Sequence, residues 1–360
     1  MAVIGCHWLS LRTPIRNPVQ PQIHGLRVKP AMTAREPRMT TLFYYFHSLS
    51  SSQTMKRTTL KLLALSALTL TGLLPLPGMA TEPLPVVASF SILGDLVRVV
   101  GGDRVKVTTL VGPDADAHAF EPKPMDAKAI LQSRLFVING LNFEPWAQKL
   151  AKSANFKGQT LVASQGIQPR SMPPEKGHAQ ADTDPHGWQD PTNVVLYVKN
   201  IAKSLSSLDP SGASRYQKNS DEYVKQLLAL DQFAKEQLAA IPVPSRQVIT
   251  SHDAFGYFAA RYQVRFLAPQ GINADAEPSA KEVAQLIRQI KRDQIKAVFV
   301  ENMSNPKLLA QITQDTGVTM GPKLYVDALS GPNEPGSSYL KMMRYNVTQL
   351  VTGMQLNVSK

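Results

Sequence analysis

The sequence predicts an α/β fold of two lobes, each a mainly parallel β-sheet flanked by helices, joined by one long rigid helix. Three observations predict it. Short apolar stretches alternate with helical periodicity in two separate blocks of the chain, which is the pattern of βα units and parallel sheets. Between the blocks, 213–240 contains neither Gly nor Pro and repeats Tyr216, Tyr223, Leu227, Leu230, Ala234 and Leu238 at helical spacing. Ahead of that stretch, 166–191 is polar, with five Pro and four Asp or Glu, and closes the first block as a loop.

In order along the chain, 86–90 reads as a buried strand and is followed by a helical stretch to Val100. Gly101-Gly102-Asp103 turns into a strand at 105–111, which Gly112-Pro113-Asp114 ends. A helix is expected at 126–133 and an apolar strand at 135–138. Asp209-Pro210-Ser211-Gly212 starts the long helix and Pro242-Val243-Pro244 stops it. The second block repeats the scheme, with strands at 247–250, 265–268, 297–300 and 324–326. Helices are expected at 254–262, 278–292 and 306–316, and a last one carries Met343, Val347, Leu350 and Met354 on one face. No internal repeat stands out beyond this rhythm. A single long helix is a stiffer connection than a Gly/Ser linker, so the lobes are expected to move little relative to each other.

The N-terminus has a different character. Met55-Lys56-Arg57 opens a basic stretch that includes Lys61, an uncharged apolar run follows at 62–74, and Gly78-Met79-Ala80 supplies small residues. This is the layout of a secretory signal, so 55–80 is expected to be removed and the mature chain to begin near Thr81. The segment 1–54 is expected to be a mis-called start or an extended leader without structure. The predicted organisation is then a first lobe at 81–210, a connecting helix at 211–241 and a second lobe at 242–360. The only cysteine is Cys6. Disulfides and a lipid-acceptor cysteine are therefore not expected in the mature part, which should be free in a periplasm.

The +12 formal charge would suggest nucleic acid, but residues 1–80 hold nine Lys or Arg and one acid. The remainder carries 39 − 9 = 30 basic and 27 − 1 = 26 acidic residues, a net charge of +4. Such a balance gives no basic stripe for phosphates, and no nucleic-acid partner is expected. Histidine is more telling. Of seven, only His118, His178, His186 and His252 lie beyond residue 80.

In open parallel sheets ligands bind beyond the carboxyl ends of the strands. The residues found there are Asp116-Ala117-His118 after 105–111, Ser251-His252-Asp253 after 247–250, and Asp327-Ala328-Leu329 after 324–326. The long loop adds Asp184-Pro185-His186. A lone histidine beside a strand is more often a satisfied polar residue than a ligand. Three imidazoles and one carboxylate in such places, however, make a four-coordinate set suited to zinc, with one ion in the cleft between the lobes. Manganese prefers a harder, more oxygen-rich shell and is the alternative.

The motifs His118-Ala-Phe-Glu-Pro122, Asp184-Pro-His186-x-Trp188-x-Asp190-Pro191, Ser251-His252-Asp253, Ala268-Pro-Gln-Gly271, Val300-Glu301-Asn302 and Tyr325-x-Asp327-Ala-Leu329 occur in order over 84–354. Together they resemble the periplasmic zinc/manganese solute-binding proteins of ABC importers, receptors built on a helical backbone. The resemblance implies a metal site formed by His118, His186, His252 and Asp327. It also implies the importer's membrane permease as partner and a monomeric receptor. Histidine at 252 is the choice commoner among zinc receptors of that family, where manganese receptors tend to carry Glu.

Other groups are read beside this set. Glu301 is expected as an acceptor orienting a histidine. Asp253 and Asp190 are read as groups beside the ligands or as caps. His178, in a short polar loop at 173–185, is either an auxiliary capture group or part of a solvated loop. Two further functions share parts of this set. A secreted zinc enzyme would need Glu301 as its base and an open coordination position, and no His-Glu-x-x-His, Gly-x-Ser-x-Gly or phosphate-loop motif accompanies the set. A surface adhesin of the same fold would need surface display. A receptor without catalytic activity is the expectation.

Overall fold

The computed structural model describes residues 82–172, 182–271 and 278–358. The predicted signal segment, the extension before it and His178 lie outside the described residues. Among those described, no helix is long and apolar enough to cross a membrane.

Strands β1 (Leu84–Phe90), β2 (Val105–Val111), β3 (Leu135–Ile138) and β4 (Gln159–Val162) form a parallel sheet in the order β2-β1-β3-β4. Central β1 and β3 are nearly continuous apolar runs because helices cover both faces. Helices α1 (Ser91–Gly101), α2 (Pro124–Leu131) and α3 (Pro145–Ser153) fall between these strands. The chain builds outward from β1 on one side and then crosses to the other. The order therefore reverses between β1 and β3, where the loops leave a crevice. A small antiparallel pair, β5 (Ser171–Met172) with β6 (Asp182–Thr183), precedes α4 (Pro191–Leu208).

Helix α5 (Ala213–Ala239) is the long connection, 27 residues without Gly or Pro. Its buried stripe is Tyr216, Ser220, Tyr223, Leu227, Leu230, Asp231, Ala234 and Leu238. One continuous apolar core runs from Leu84 in the first sheet through this stripe to Val248 and Phe299 in the second half and to the last helix. Each fully buried leucine in such a core contributes about 1.5–3 kcal/mol. A wide hinge motion would have to expose part of it, so the shared core resists large relative movement of the two halves.

In the second half, β7 (Gln247–Ile249) and β8 (Arg265–Leu267) pair in parallel. Helices α6 (Gly256–Tyr262), α7 (Ala280–Asp293), α8 (Lys307–Thr316) and α9 (Tyr339–Val358) complete it. Ser279 and Glu282 close a capping box at the start of α7. The strands expected at 297–300 and 324–326 appear only as single parallel bridges, Val298 with Ile249 and Met320, and Glu301 with Leu324. The strand order is nonetheless that of the first sheet, with β8 on one side of β7 and the 298 and 320 segments on the other. The two halves thus share a topology that no sequence repeat announces.

Helix α4 was not expected. Its buried Val194, Tyr197, Val198, Ile201, Ala202 and Leu205 follow helical spacing. That signal is diluted by Thr, Asn and Ser on the outer face and by the proline-rich loop before it.

Candidate metal centre

Each half aims its loops at the crevice by the same logic. His118 follows β2, His252 follows β7, and Asp327 follows the bridged segment at Leu324. His186 lies between β6 and a turn of 3₁₀ helix at Gly187–Gln189 that leads to α4. His186, His252 and Asp327 are completely buried, and the His118 side chain is nearly so.

Their polar atoms meet. His118 Nε2 lies 3.3 Å from His186 Nε2 and 3.5 Å from Asp327 Oδ2. His186 Nε2 is 3.8 Å from Asp327 Oδ1, and His252 Nε2 is 3.1 Å from Asp327 Oδ2. One donor atom from each of the four lies within 4.8 Å of all the others. Four ligands at about 2.0–2.2 Å from a tetrahedral ion are separated from one another by about 3.3–3.6 Å. The observed spacings bracket that edge length.

The hydrogen-bond accounting points the same way. His252 Nε2 and both carboxylate oxygens of Asp327 are buried and have no hydrogen-bond partner, although they lie close together. Buried polar atoms are nearly always satisfied. Here the three face one another and the other two imidazoles, and a cation at their centre would satisfy them.

The outward sides of the rings are held. Asp184 Oδ1 accepts from the Nδ1 of His186 at 2.8 Å and from its backbone N–H at 2.9 Å. Glu301 Oε2 bonds the Nδ1 of His252, and Glu301 Oε1 accepts from the backbone N–H groups of Ser251 at 2.9 Å and His252 at 3.2 Å. An acceptor on Nδ1 places the proton there and leaves Nε2 to present its lone pair to a metal. Asp116 Oδ1 accepts the backbone N–H of His118 at 2.7 Å and so fixes that loop, not the ring.

The electrostatics are those of a site waiting for positive charge. Burial alone would depress the His252 imidazole, but the Glu301 and Asp327 carboxylates outweigh it and hold its pKa well above the usual histidine value. Burial would raise the Asp327 carboxyl, yet His252 and His186 keep it well below the usual carboxylate range.

The Asp327 loop is tied to the first half. Trp188 Nε1 donates to Val326 O at 2.9 Å and Gln189 Nε2 to the same oxygen at 3.1 Å. Leu329 N–H donates to Ser91 Oγ at 2.9 Å. Trp188 is fully buried and serves packing as well.

Asp190 takes the capping role. It caps α4 by accepting from Thr192 N–H at 2.8 Å and pairs with Arg261 at 3.2 Å, away from the ligand atoms. Asp253 is half-buried, and burial followed by the neighbouring Asp184 charge raises its carboxyl. Among the described residues its side chain makes no hydrogen bond to a ligand ring.

Sequence reasoning passed over the turn after β3. Gly140, Leu141 and Asn142 are three successive residues at positive φ, 83°, 54° and 64°. Glu144, buried, holds this turn by accepting from Asn139 N–H at 2.6 Å, Gly140 N–H at 3.2 Å and Ser89 Oγ at 2.7 Å. The result presents Phe143 edge-on to His118, ring centroids 4.4 Å apart. Asn139 Nδ2 meanwhile donates to Pro185 O, beside His186, at 2.9 Å. The only sequence signal was an Asn-Gly pair after an apolar strand.

The profile of the family described as ZnuA, zinc-uptake complex component A periplasmic, matches residues 86–353. The metal ABC transporter substrate-binding lipoprotein SloC of Streptococcus mutans is 31% identical over 301 residues, 82% of this chain and 98% of that protein. The iron-binding protein YfeA of Yersinia pestis is 31% identical over 277 residues, 77% of this chain and 88% of its own length. A solved structure of the Mn-bound periplasmic metal binding protein from Candidatus Liberibacter asiaticus superposes with a TM-score of 0.69 at 29% identity, covering 76% of this chain and all of that one. SloC is a lipoprotein by name, which gives the expectation of an unanchored chain no support.

Proposed function

Because the chain belongs to the periplasmic zinc-uptake complex component A family, we propose that it captures one divalent metal ion with His118, His186, His252 and Asp327. It then hands the ion to the membrane permease of an ABC importer. The observation that carries this reading is the cluster of buried, unpartnered atoms on His252 and Asp327, facing two further imidazole nitrogens. In this reading the receptor acts as a monomer, with lobes at 81–210 and 242–360 set on the helix at 211–241.

Zinc is the favoured cargo. Three imidazole nitrogens and one carboxylate at near-tetrahedral spacing suit zinc, whereas manganese is better served by more oxygen ligands. The names and contents of relatives include iron and manganese as well, so the donor set is the argument for zinc. Catalysis is not part of the proposal. Both oxygens of Glu301 are already engaged by Ser251 and His252, so this carboxylate serves to orient the ligand loop.

The test is elemental analysis of protein purified from a periplasm without a metal-binding tag, followed by zinc–manganese competition. Zinc is expected in stoichiometric amount and should displace manganese. A preparation that carries manganese and resists zinc exchange would reverse the assignment. Protein that binds neither ion would end the receptor reading.

A further inference from the structure

Asn302 stands between two ligand-bearing segments, the loop of His118 and the loop of Asp327. Its Nδ2 donates to Asp114 Oδ1 at 2.8 Å and to Ala328 O at 3.3 Å. Its Oδ1 accepts from Val326 N–H at 3.3 Å, and its own backbone N–H donates to Leu324 O at 2.8 Å. Val326 and Ala328 flank Asp327, so one amide grips that ligand's residue from both sides. The next residue back is Glu301, which holds His252.

Asp114, the far partner, begins the loop that delivers His118. It sits at φ 52°, a left-handed conformation that aspartate tolerates better than most residues. Its backbone N–H donates to Leu329 O at 2.9 Å. Through Asp114 the His118 loop is thus fastened twice to the Asp327 loop, once by backbone and once by Asn302. The side-chain amide supplies both the donor and the acceptor that this junction uses. A carboxylate at 302 would keep the bond from Val326, lose both donations and oppose Asp114.

We propose that Asn302 is a positioning residue that sets the separation of the His118 and Asp327 loops, so that the ligand set is assembled before the cation arrives. This rests on the metal-receptor reading above. Preorganisation of this kind raises affinity by removing ordering that binding would otherwise have to supply. Asn302 touches no metal. Its effect is transmitted through Asp114, Val326 and Ala328.

The test compares the full chain with Asn302→Asp, Asp114→Asn and the double variant. Zinc affinity is read by competition with a chromophoric chelator, coordination geometry by the visible spectrum of the cobalt(II)-loaded protein, and folding by circular dichroism without metal. Asn302→Asp is expected to weaken zinc binding by about tenfold or more and to alter the cobalt spectrum, as loss of a ligand-supporting contact does. Adding Asp114→Asn reverses donor and acceptor, keeps a residue that tolerates the left-handed turn, and is expected to recover most of the affinity. Should Asn302→Asp fail to fold, Asp114→Gly preserves the turn and deletes the acceptor. It is expected to lose about three- to tenfold in affinity, the range of one exposed hydrogen bond. Wild-type affinity and spectrum in Asn302→Asp, or in Asp114→Gly, would overturn the proposal, as would a double variant no tighter than Asn302→Asp. If the unaltered chain binds no zinc, the metal reading itself fails; if it binds and only the variants behave as wild type, this inference alone fails.

Discussion

Asp184 accepts two hydrogen bonds from His186, one from the ring Nδ1 at 2.8 Å and one from the backbone N–H at 2.9 Å. Asp116 stands at the same spacing before His118 but holds only the backbone, at 2.7 Å. The same Asp-x-His pattern therefore orients a ring in one loop and a turn in the other. Asp184→Ala is expected to weaken zinc binding by about 10–100-fold, the usual loss when a metal-bound histidine is deprived of its carboxylate. Asp116→Ala should cost less than about tenfold, since one backbone bond is lost. Chelator competition on both variants measures the contrast, and equal losses would show that the ring bond has no special weight.

A metal ion held by His252 would compete with a proton for its Nε2. Its folded-state pKa lies well above 6.5 because Glu301 and Asp327 overcome the effect of burial. For a histidine raised on folding, the stabilisation is complete below the unfolded value near 6.5 and is lost as pH rises through the folded value. The metal-free protein should therefore lose stability as pH climbs above about 6.5, while a bound cation replaces the proton and removes that loss. The gain in melting temperature on adding zinc should grow with pH in this window. Zinc affinity should fall on acidification. A zinc-induced shift that is flat between mildly acidic and alkaline pH would contradict the assignment of His252 as the proton-binding ligand.

Glu144 titrates for a different reason and away from the ligand atoms. Burial, only partly offset by the bonds from Ser89, Asn139 and Gly140, raises its carboxyl from 4.5 to about 7. An acid raised on folding destabilises the native state above its folded pKa and ceases to do so below its unfolded one. The ionised carboxylate thus costs about 3 kcal/mol above neutrality, and that cost disappears as pH falls towards 4.5. Glu144→Gln keeps an acceptor for Ser89 and Asn139 and removes the charge. Relative to the unaltered chain, its unfolding free energy should improve by about 2.5 kcal/mol between pH 5 and pH 8. Urea denaturation of both metal-free proteins at the two pH values decides it; parallel pH dependence would rule Glu144 out.

The four converging residues were legible in the sequence because histidine is scarce beyond residue 80 and each group follows a strand or stands in a polar loop. Glu301 was legible for the same reason, as a carboxylate directly after an apolar stretch. The supports were harder. Asp184 looks like one more acid in a polar loop, and only the fold turns its carboxylate onto the ring of His186. Asn139 and Glu144 act through long-range bonds to Pro185 and Ser89, and no local pattern encodes those distances. The strands at 297–300 and 324–326 carry the right apolar residues. Their pairing is limited to single bridges, and beyond them Glu301 is turned to His252.

Gly256 opens α6, four residues after His252, and a Cβ placed there would lie 2.3 Å from Asp184 Oδ2. Asp184 has little room to retreat. Its other oxygen holds His186 twice, its N–H donates to Arg170 O at 2.8 Å, and Tyr257 Oη donates to its carbonyl at 3.2 Å. Alanine is ordinarily the better helix former, by up to about 1 kcal/mol over glycine, so without the clash Gly256→Ala would raise the melting temperature and leave the site alone. With it, the carboxylate must swing off His186 or the start of α6 must shift beside His252. Gly256→Ala is therefore expected to weaken zinc binding by about tenfold and to lower the melting temperature. Combining it with Asp184→Ala removes the obstructing oxygen, so the double variant should bind no worse than Asp184→Ala alone, the non-additivity expected of two groups in contact. Independent, additive losses in that cycle would mean that Gly256 matters for some reason other than the room it leaves for Asp184.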